Sequence, residues 1–244
     1  MMGERKEELI RSEHLYEMFT SVPPRYDLIN HLITLGLDWG WRREAAKECL
    51  AALPGRMLDL CCGTGDLIIR VAGMVKGDTE LIGLDFSRPM LVIAAGKATG
   101  IGAGKGISFI HDDATKMSFP DSYFNCVGIS FAFRNLTYKN PLATQYLSEV
   151  FRVLKQGGRF VIVESSQPRN RLIRKLSHFY IRLVVPRLGY LLSGDRGAYR
   201  YLAQSMMHYY SPDEVRDMLL EAGFSEVRYR PLFFGAAGIH IAIK

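Results

Sequence analysis

The sequence has no run of about 18 uncharged apolar residues, the length a membrane-spanning helix needs. The nearest approach, Phe179 to Leu192, is interrupted by Arg182, Pro186 and Arg187. Cysteine is scarce. The four present, Cys49, Cys61, Cys62 and Cys126, are too few for a disulfide scaffold, and adjacent Cys61 and Cys62 could pair only with strain. None of them has the His or Cys spacing of a zinc site, so no metal is expected. Met1 to Arg11 is polar and mixed in charge, unlike a signal or transit peptide. There is no internal repeat and no low-complexity linker. These absences exclude a spanning protein and a disulfide-built secreted domain, and they predict a reducing, cytoplasmic setting.

What remains is an ordinary globular composition: 244 residues, 48% hydrophobic and 23% charged, read as one domain over 1–244. Residues 7–52 read as a helical cap in pieces, broken at Pro23-Pro24 and at Gly36. From Arg56 onward short β-type runs alternate with helical segments. The strands are predicted at Met57–Cys61, Glu80–Asp85, Ile107–His111, Asn125–Phe131 and Arg159–Glu164, with helices at Leu67–Val75, Pro89–Ala98 and Pro141–Leu154 between them. That alternation predicts an α/β fold, a mostly parallel sheet with helices on both faces. After a 165–211 insertion come a helix at Pro212–Ala222 and two more strands, Glu226–Phe233 and Gly238–Ile243, seven strands in all. An insertion of that length in a compact domain is usually functional.

The chemistry is expected at the strand ends. Asp59-Leu-Cys-Cys-Gly63-Thr64-Gly65-Asp66 follows the first strand and leads into a helix. Glycines there let the backbone approach a ligand, and the helix start offers free N–H groups. Asp85, closing the second strand, can take both hydroxyls of a ribose. A dinucleotide site wants a third glycine, where this chain has Ile68, and Asp66 would repel a pyrophosphate while suiting a cationic ligand. The glycine cluster from Gly100 to Gly106 follows a helix and precedes a strand, the wrong order for a phosphate loop, and reads as a flexible connection. Asp113 and Ala114 after the third strand suit an adenine, and Ser130, Arg134 and Asn135 close the fourth.

These residues resemble the Rossmann-like class I methyltransferases, and more narrowly the ubiquinone/menaquinone biosynthesis C-methyltransferase family. Arg25-Tyr26-Asp27-Leu-Ile-Asn30 with Trp41-Arg42-Arg43, Ser130-Phe-Ala-Phe-Arg134-Asn135-Leu-Thr137 and Tyr199-Arg-Tyr201-Leu202-Ala-Gln-Ser205 resemble its three signatures in order. Leu58-Asp59-Leu-Cys-Cys-Gly-Thr-Gly-Asp66 resembles its cofactor loop, in the Cys-Cys form of the menaquinone branch. The resemblance implies that S-adenosyl-L-methionine is bound by Gly63, Thr64, Gly65, Asp85, Asp113, Ala114 and Ser130, with Tyr26 and Asp27 either closing over it or packing helices. It implies methylation of a ring carbon of a prenylated hydroquinone, activated by ionisation of a ring hydroxyl. Arg134 would then stabilise the phenolate and Asn135 orient the ring, unless they form a structural ion pair and a turn cap. His240 is a candidate base or a core histidine, and Tyr199 and Tyr201 are further candidates for the hydroxyl. The chain departs from the family at Asp38-Trp39, where a His-Arg pair is usual, and at Phe233-Phe234-Gly235, where a Thr usually precedes the glycine.

The net charge of +6 is local: Arg169 to Arg200 carries eight Lys/Arg and one acid, a net +7, so the rest of the chain is −1. Within it Leu172, Ile173, Leu176, Phe179, Tyr180, Leu183 and Val184 fall on one helical arc, opposite Arg171, Arg174, Lys175, His178 and Arg182. Such a helix, over 169–192, fits an anionic membrane surface on the inner face of the membrane, or covers a pocket or a homodimer contact. No nucleic-acid partner is expected, because the patch is interleaved with Leu, Ile and Val and carries few aromatics placed to stack bases. An RNA methyltransferase and a non-catalytic nucleoside-binding protein remain the rival classes.

Overall fold

The computed structural model describes residues 23–52, 55–100 and 106–244, with side chains from Asp27 onward. Two cap helices come first, α1 (Pro23–Ile33) and α2 (Leu37–Leu50). The predicted break at Pro23-Pro24 is where α1 begins. Proline tolerates a first helical turn, since its missing N–H would have no partner there. The helical piece expected before residue 23, and residues 101–105 of the Gly100–Gly106 connection, lie outside the described residues.

The alternating core follows as β1 (Arg56–Leu60), α3 (Asp66–Ala72), β2 (Glu80–Asp85), α4 (Arg88–Gly100), β3 (Ile107–His111), β4 (Phe124–Ser130), the short α5 (Phe133–Thr137), α6 (Ala143–Val153) and β5 (Leu154–Ser165). Then come α7 (Arg171–Ser193), α8 (Arg196–His208), α9 (Pro212–Glu221), β6 (Glu226–Leu232) and β7 (Ala237–Ile243). The seven strands form one sheet in the order β3-β2-β1-β4-β5-β7-β6, parallel through β5, with β7 antiparallel to both neighbours. The predicted mostly parallel, seven-stranded α/β sheet is borne out.

Alternate side chains of the central strands feed two cores. Leu58, Leu60, Val127, Ile129, Phe160 and Ile162 pack on one face with Leu147, Val150 and Leu219. Met57, Val161, Val163, Ile239 and Ile241 pack on the other with Ala45, Ala46, Leu67 and Val71. β5 starts at Leu154, five residues before the expected Arg159, because the Lys-Gln-Gly-Gly stretch is held as an irregularity of the ladder. Pairing shifts between Phe124↔Leu154 and Cys126↔Arg159, Gly157 takes a φ of 73°, and its N–H donates to the Lys244 carbonyl at 2.9 Å.

The insertion is a helical hairpin capped at both starts. The Asn170 side chain accepts from the N–H groups of Leu172 and Ile173, and Asp195 accepts from that of Ala198. Together with the cap it builds a third core from Ile29, Ile33, Ile181, Val185, Ala198 and Tyr199. Gly189 lets the two helices close: a Cβ there would stand 2.0 Å from Cγ of Tyr199. Among the described residues no helix is long and apolar enough to cross a membrane. Replacing Gly189 with Ala should overpack this contact and cost about 1–3 kcal/mol, read as a lower urea midpoint at unchanged m.

Candidate active site

The glycine turn is built from both sides. Cys61, Gly63 and Gly65 all have positive φ, at 52°, 53° and 82°, which reverses the chain between β1 and α3. The Cys62 N–H donates to the Leu84 carbonyl at 2.9 Å, tying the turn to β2. Behind it, Asp59 accepts the Ile68 N–H at 3.1 Å through Oδ2, while Oδ1 has no partner. Burial pushes the Asp59 carboxyl up to about 8, against the pull of that N–H and of Arg42. In front, Asp85 accepts the Gly63 N–H on Oδ2 and the Ser87 N–H on Oδ1, each at 2.8 Å. Burial raises its pKa and the two N–H groups offset part of the rise. A Cβ on Gly63 would meet nothing within 4 Å, so the space above the turn is open to a ligand.

The remaining strand ends complete this rim. Ala114 is buried in the same core as Leu60 and Leu84, while Asp113 is exposed and its Oδ1 accepts the Thr115 N–H at 2.8 Å. Tyr26 lies in α1, but its side chain is outside the described residues. Its neighbour Asp27 does reach the turn: Thr64 Oγ1 donates to it at 2.7 Å, and Lys97 of α4 donates to Asp27 at 3.0 Å, to Thr64 Oγ1 at 3.2 Å and to Asp66. The Lys97 ammonium thus neutralises part of the acidity that Asp27 and Asp66 bring to this turn.

Ser130 is engaged from the cap. Arg42 of α2 donates from Nε to Ser130 Oγ at 3.1 Å, pairs with buried Asp38, stands 3.7 Å from Asp66 and lies over the Phe131 ring. Asp38 also accepts from His31 at 2.9 Å and Thr34 at 3.0 Å. Burial would raise the Asp38 pKa, but the Arg42 charge and the hydrogen bonds from Thr34, His31 and Arg42 outweigh it and hold the carboxyl below its usual range.

Beyond Arg42 opens a cavity of about 620 Å³, walled by α1, α2, α7, α8 and the turn between β6 and β7. Its lining is mostly apolar, including Ile33, Trp41, Phe131, Ile181 and Leu202, and it contains Tyr199 and Tyr201. The polar floor is Asp38, Arg42, Arg134 and Asn135. Arg134 is a buried ion pair as well as a lining residue. Its backbone N–H and Nη1 bond the two Glu164 oxygens at 3.0 and 3.1 Å, Nη1 reaches Ser165 Oγ at 2.8 Å, and Nε has no partner.

His240 is a correction. Mid-strand in β7 it pairs with Ile162 and Tyr229, donates from Nε2 to the Pro212 carbonyl at 3.2 Å and does not line the cavity. Burial pushes its pKa down to about 4. It is a satisfied core histidine.

The pattern of the ubiE/COQ5 methyltransferase family matches residues 7–244. The chain belongs to that family. A demethylmenaquinone methyltransferase of Deinococcus radiodurans is 40% identical over 96% of this chain and 94% of its own length. One of Thermus thermophilus is 42% identical over 92% and 98%. Among solved structures, a possible histamine N-methyltransferase of Thermotoga maritima shares the fold, with a TM-score of 0.61 at 18% identity over 95% of this chain and 99% of that one.

For a methyltransferase of this family the cofactor is S-adenosylmethionine, and the turn fits it: the space above Gly63 is open, and Asp85, which accepts the Gly63 N–H, stands beside it. Sequence reasoning gave no site role to Arg42, quoted only within a signature, and missed Lys97. Arg42 had a signal, its i,i+4 spacing from Asp38 on one helix. Lys97 had none, since only the fold brings it beside Asp66. Asp85→Asn keeps the side-chain size and removes the charge that would hold the ribose. It should weaken S-adenosylmethionine binding about 10- to 100-fold by calorimetry, with folding intact by circular dichroism.

Proposed function

We propose that this chain methylates a ring carbon of a prenylated hydroquinone, demethylmenaquinol, using S-adenosylmethionine. The observation that carries the reading is the mostly apolar cavity whose polar lining, Arg42, Arg134 and Asn135, adjoins Ser130 and the glycine turn through Arg42. Its volume is in the range of pockets that bury a ligand of drug size. An apolar wall with a few convergent polar groups suits a ring carrying a hydrocarbon tail. The names of the Deinococcus and Thermus relatives support the naphthoquinol ring.

Bound S-adenosylmethionine supplies an electrophilic methyl group on a sulfonium. The protein's part is to position the ring carbon and favour ionisation of its hydroxyl. A phenol of pKa about 10 is roughly one part in a thousand ionised at pH 7, a cost of about 4 kcal/mol. Arg134, its charge fixed by Glu164 at the cavity floor, lowers that cost by stabilising the phenolate, and Asn135 orients the ring. Arg134 itself takes no proton, because a guanidinium stays protonated in proteins and has no lone pair free to accept one. Holding the reacting atoms in line contributes a further ~7–11 kcal/mol. Arg134→Ala would leave Glu164 buried without its partner, a large stability cost. Arg134→Lys is the cleaner test: kcat with a prenylated naphthoquinol should fall about tenfold or more while cofactor affinity stays within about twofold. Equal losses in both would make the residue structural.

The basic insertion supports a second element of the reading, attraction to an anionic membrane surface. Arg171, Lys175 and Arg182 are exposed on α7. Each cation near anionic lipid contributes about 1 kcal/mol. Reversing all three to Glu should release the protein from anionic vesicles in co-sedimentation, and raised salt should weaken wild-type binding.

A further inference from the structure

The helix α7 has three faces rather than the two its sequence suggests. Ile173, Tyr180, Ile181 and Val185 turn inward to the cavity. Leu172, Leu176, Phe179 and Leu183, at spacings of four, three and four residues, stand exposed on the outside. Arg171, Lys175 and Arg182 flank that exposed stripe. Leu176 belongs to both surfaces, exposed and lining the cavity. The same is true of three residues from distant parts of the chain: Leu35 in the turn between α1 and α2, and Phe233 and Phe234 between β6 and β7. Phe234 is 75% exposed. These two phenylalanines hold φ of 42° and 55°, a left-handed conformation costly for bulky side chains.

We infer that the cavity mouth is the membrane-inserted edge of the protein, with Leu35, Leu176, Phe233 and Phe234 as its lip, so that the acceptor enters sideways from the bilayer. The inference rests on the proposed prenylated acceptor and goes beyond attraction by charge. An apolar lip buries into the headgroup and acyl boundary, and its basic flank meets anionic headgroups. Charge favours lipid over a second copy of the chain as the occupant. A two-fold contact on this face would set the +7 insertion of one subunit against that of the other. The lip also removes a step through water for a tail that water excludes, because Leu176 and Phe234 are at once exposed and part of the cavity lining.

The test is an environment-sensitive fluorophore on single introduced cysteines. The native thiols leave this open: Cys49, Cys62 and Cys126 are buried, and burial pushes the half-buried Cys61 thiol well up. Leu35→Cys, Leu172→Cys and Phe234→Cys are labelled, with Val92→Cys on exposed α4 as the control. With vesicles of phosphatidylcholine and phosphatidylglycerol, the first three labels should shift to the blue and be quenched by nitroxide on the acyl chains, and the fourth should not. In parallel, Leu172→Ser/Phe179→Ser, at exposed positions outside the cavity lining, should cut turnover of a long-chain acceptor embedded in vesicles by about tenfold or more. Its turnover of a short-chain soluble acceptor should match wild type. Vesicle binding with no shift at positions 35 and 234 would overturn the inference and leave surface attraction standing. No vesicle binding at all would defeat both. A blue shift without vesicles that grows with protein concentration would assign the face to a second copy and overturn the inference.

Discussion

The buried pair of Arg42 and Asp38 is the joint on which this site depends. One guanidinium reaches the cap helix, the end of β4 through Ser130, the glycine turn through Asp66, and the face of Phe131. Such a pair is a poor source of net stability, because desolvating two charges offsets most of their attraction. Its use here is positional. It fixes the angle at which the cap meets the sheet, and so fixes the distance between the cofactor turn and the floor of the cavity. His31 and Thr34 fill the remaining acceptor sites of Asp38, which keeps the carboxylate charged in a place where burial alone would neutralise it.

Two different solvents meet across that joint. On one side the rim of the turn is acidic and open, with Asp85, Asp66 and Asp27 gathered by backbone N–H groups and by Lys97. On the other side the walls are mostly apolar, and among the described lining residues the charges are those of Asp38, Arg42 and Arg134. This separation is the physical content of a reaction that brings a cationic donor to a neutral, tailed acceptor. The donor needs carboxylates and free N–H groups. In the proposed reaction the acceptor needs a dry cavity in which one hydroxyl, placed beside Arg134, can hold a charge.

The hairpin of α7 and α8 makes the dry side possible. It packs on the cap through Ile29, Ile33, Ile181 and Tyr199, and the close approach at Gly189 leaves the inner face of α7 free to wall the cavity. The departure at Phe233-Phe234, which in sequence is only an unusual dipeptide, becomes part of the same wall.

The succession of strands along the chain, the glycine turn and the acids at the strand ends were legible in the sequence, because each is a local property. Period-two apolar runs make strands, Gly63 and Gly65 permit positive φ, and an acid that closes a strand must lie at the crevice. The predicted bounds of β2 and β3 coincide with the observed ones for that reason. What the tertiary structure decided is which polar groups meet. Arg134 was legible as a candidate lining residue, but its pairing from α5 with Glu164 at the end of β5 was not. His240 looked titratable and is a core residue, since register places it mid-strand under Pro212. Lys97 and Asp66 lie 31 residues apart and meet only because α4 packs beside the turn. The apolar arc of α7 was read as one face, and the fold divides it between the cavity and the outside. Periodicity reports which residues share a side of a helix. Only packing determines what that side touches.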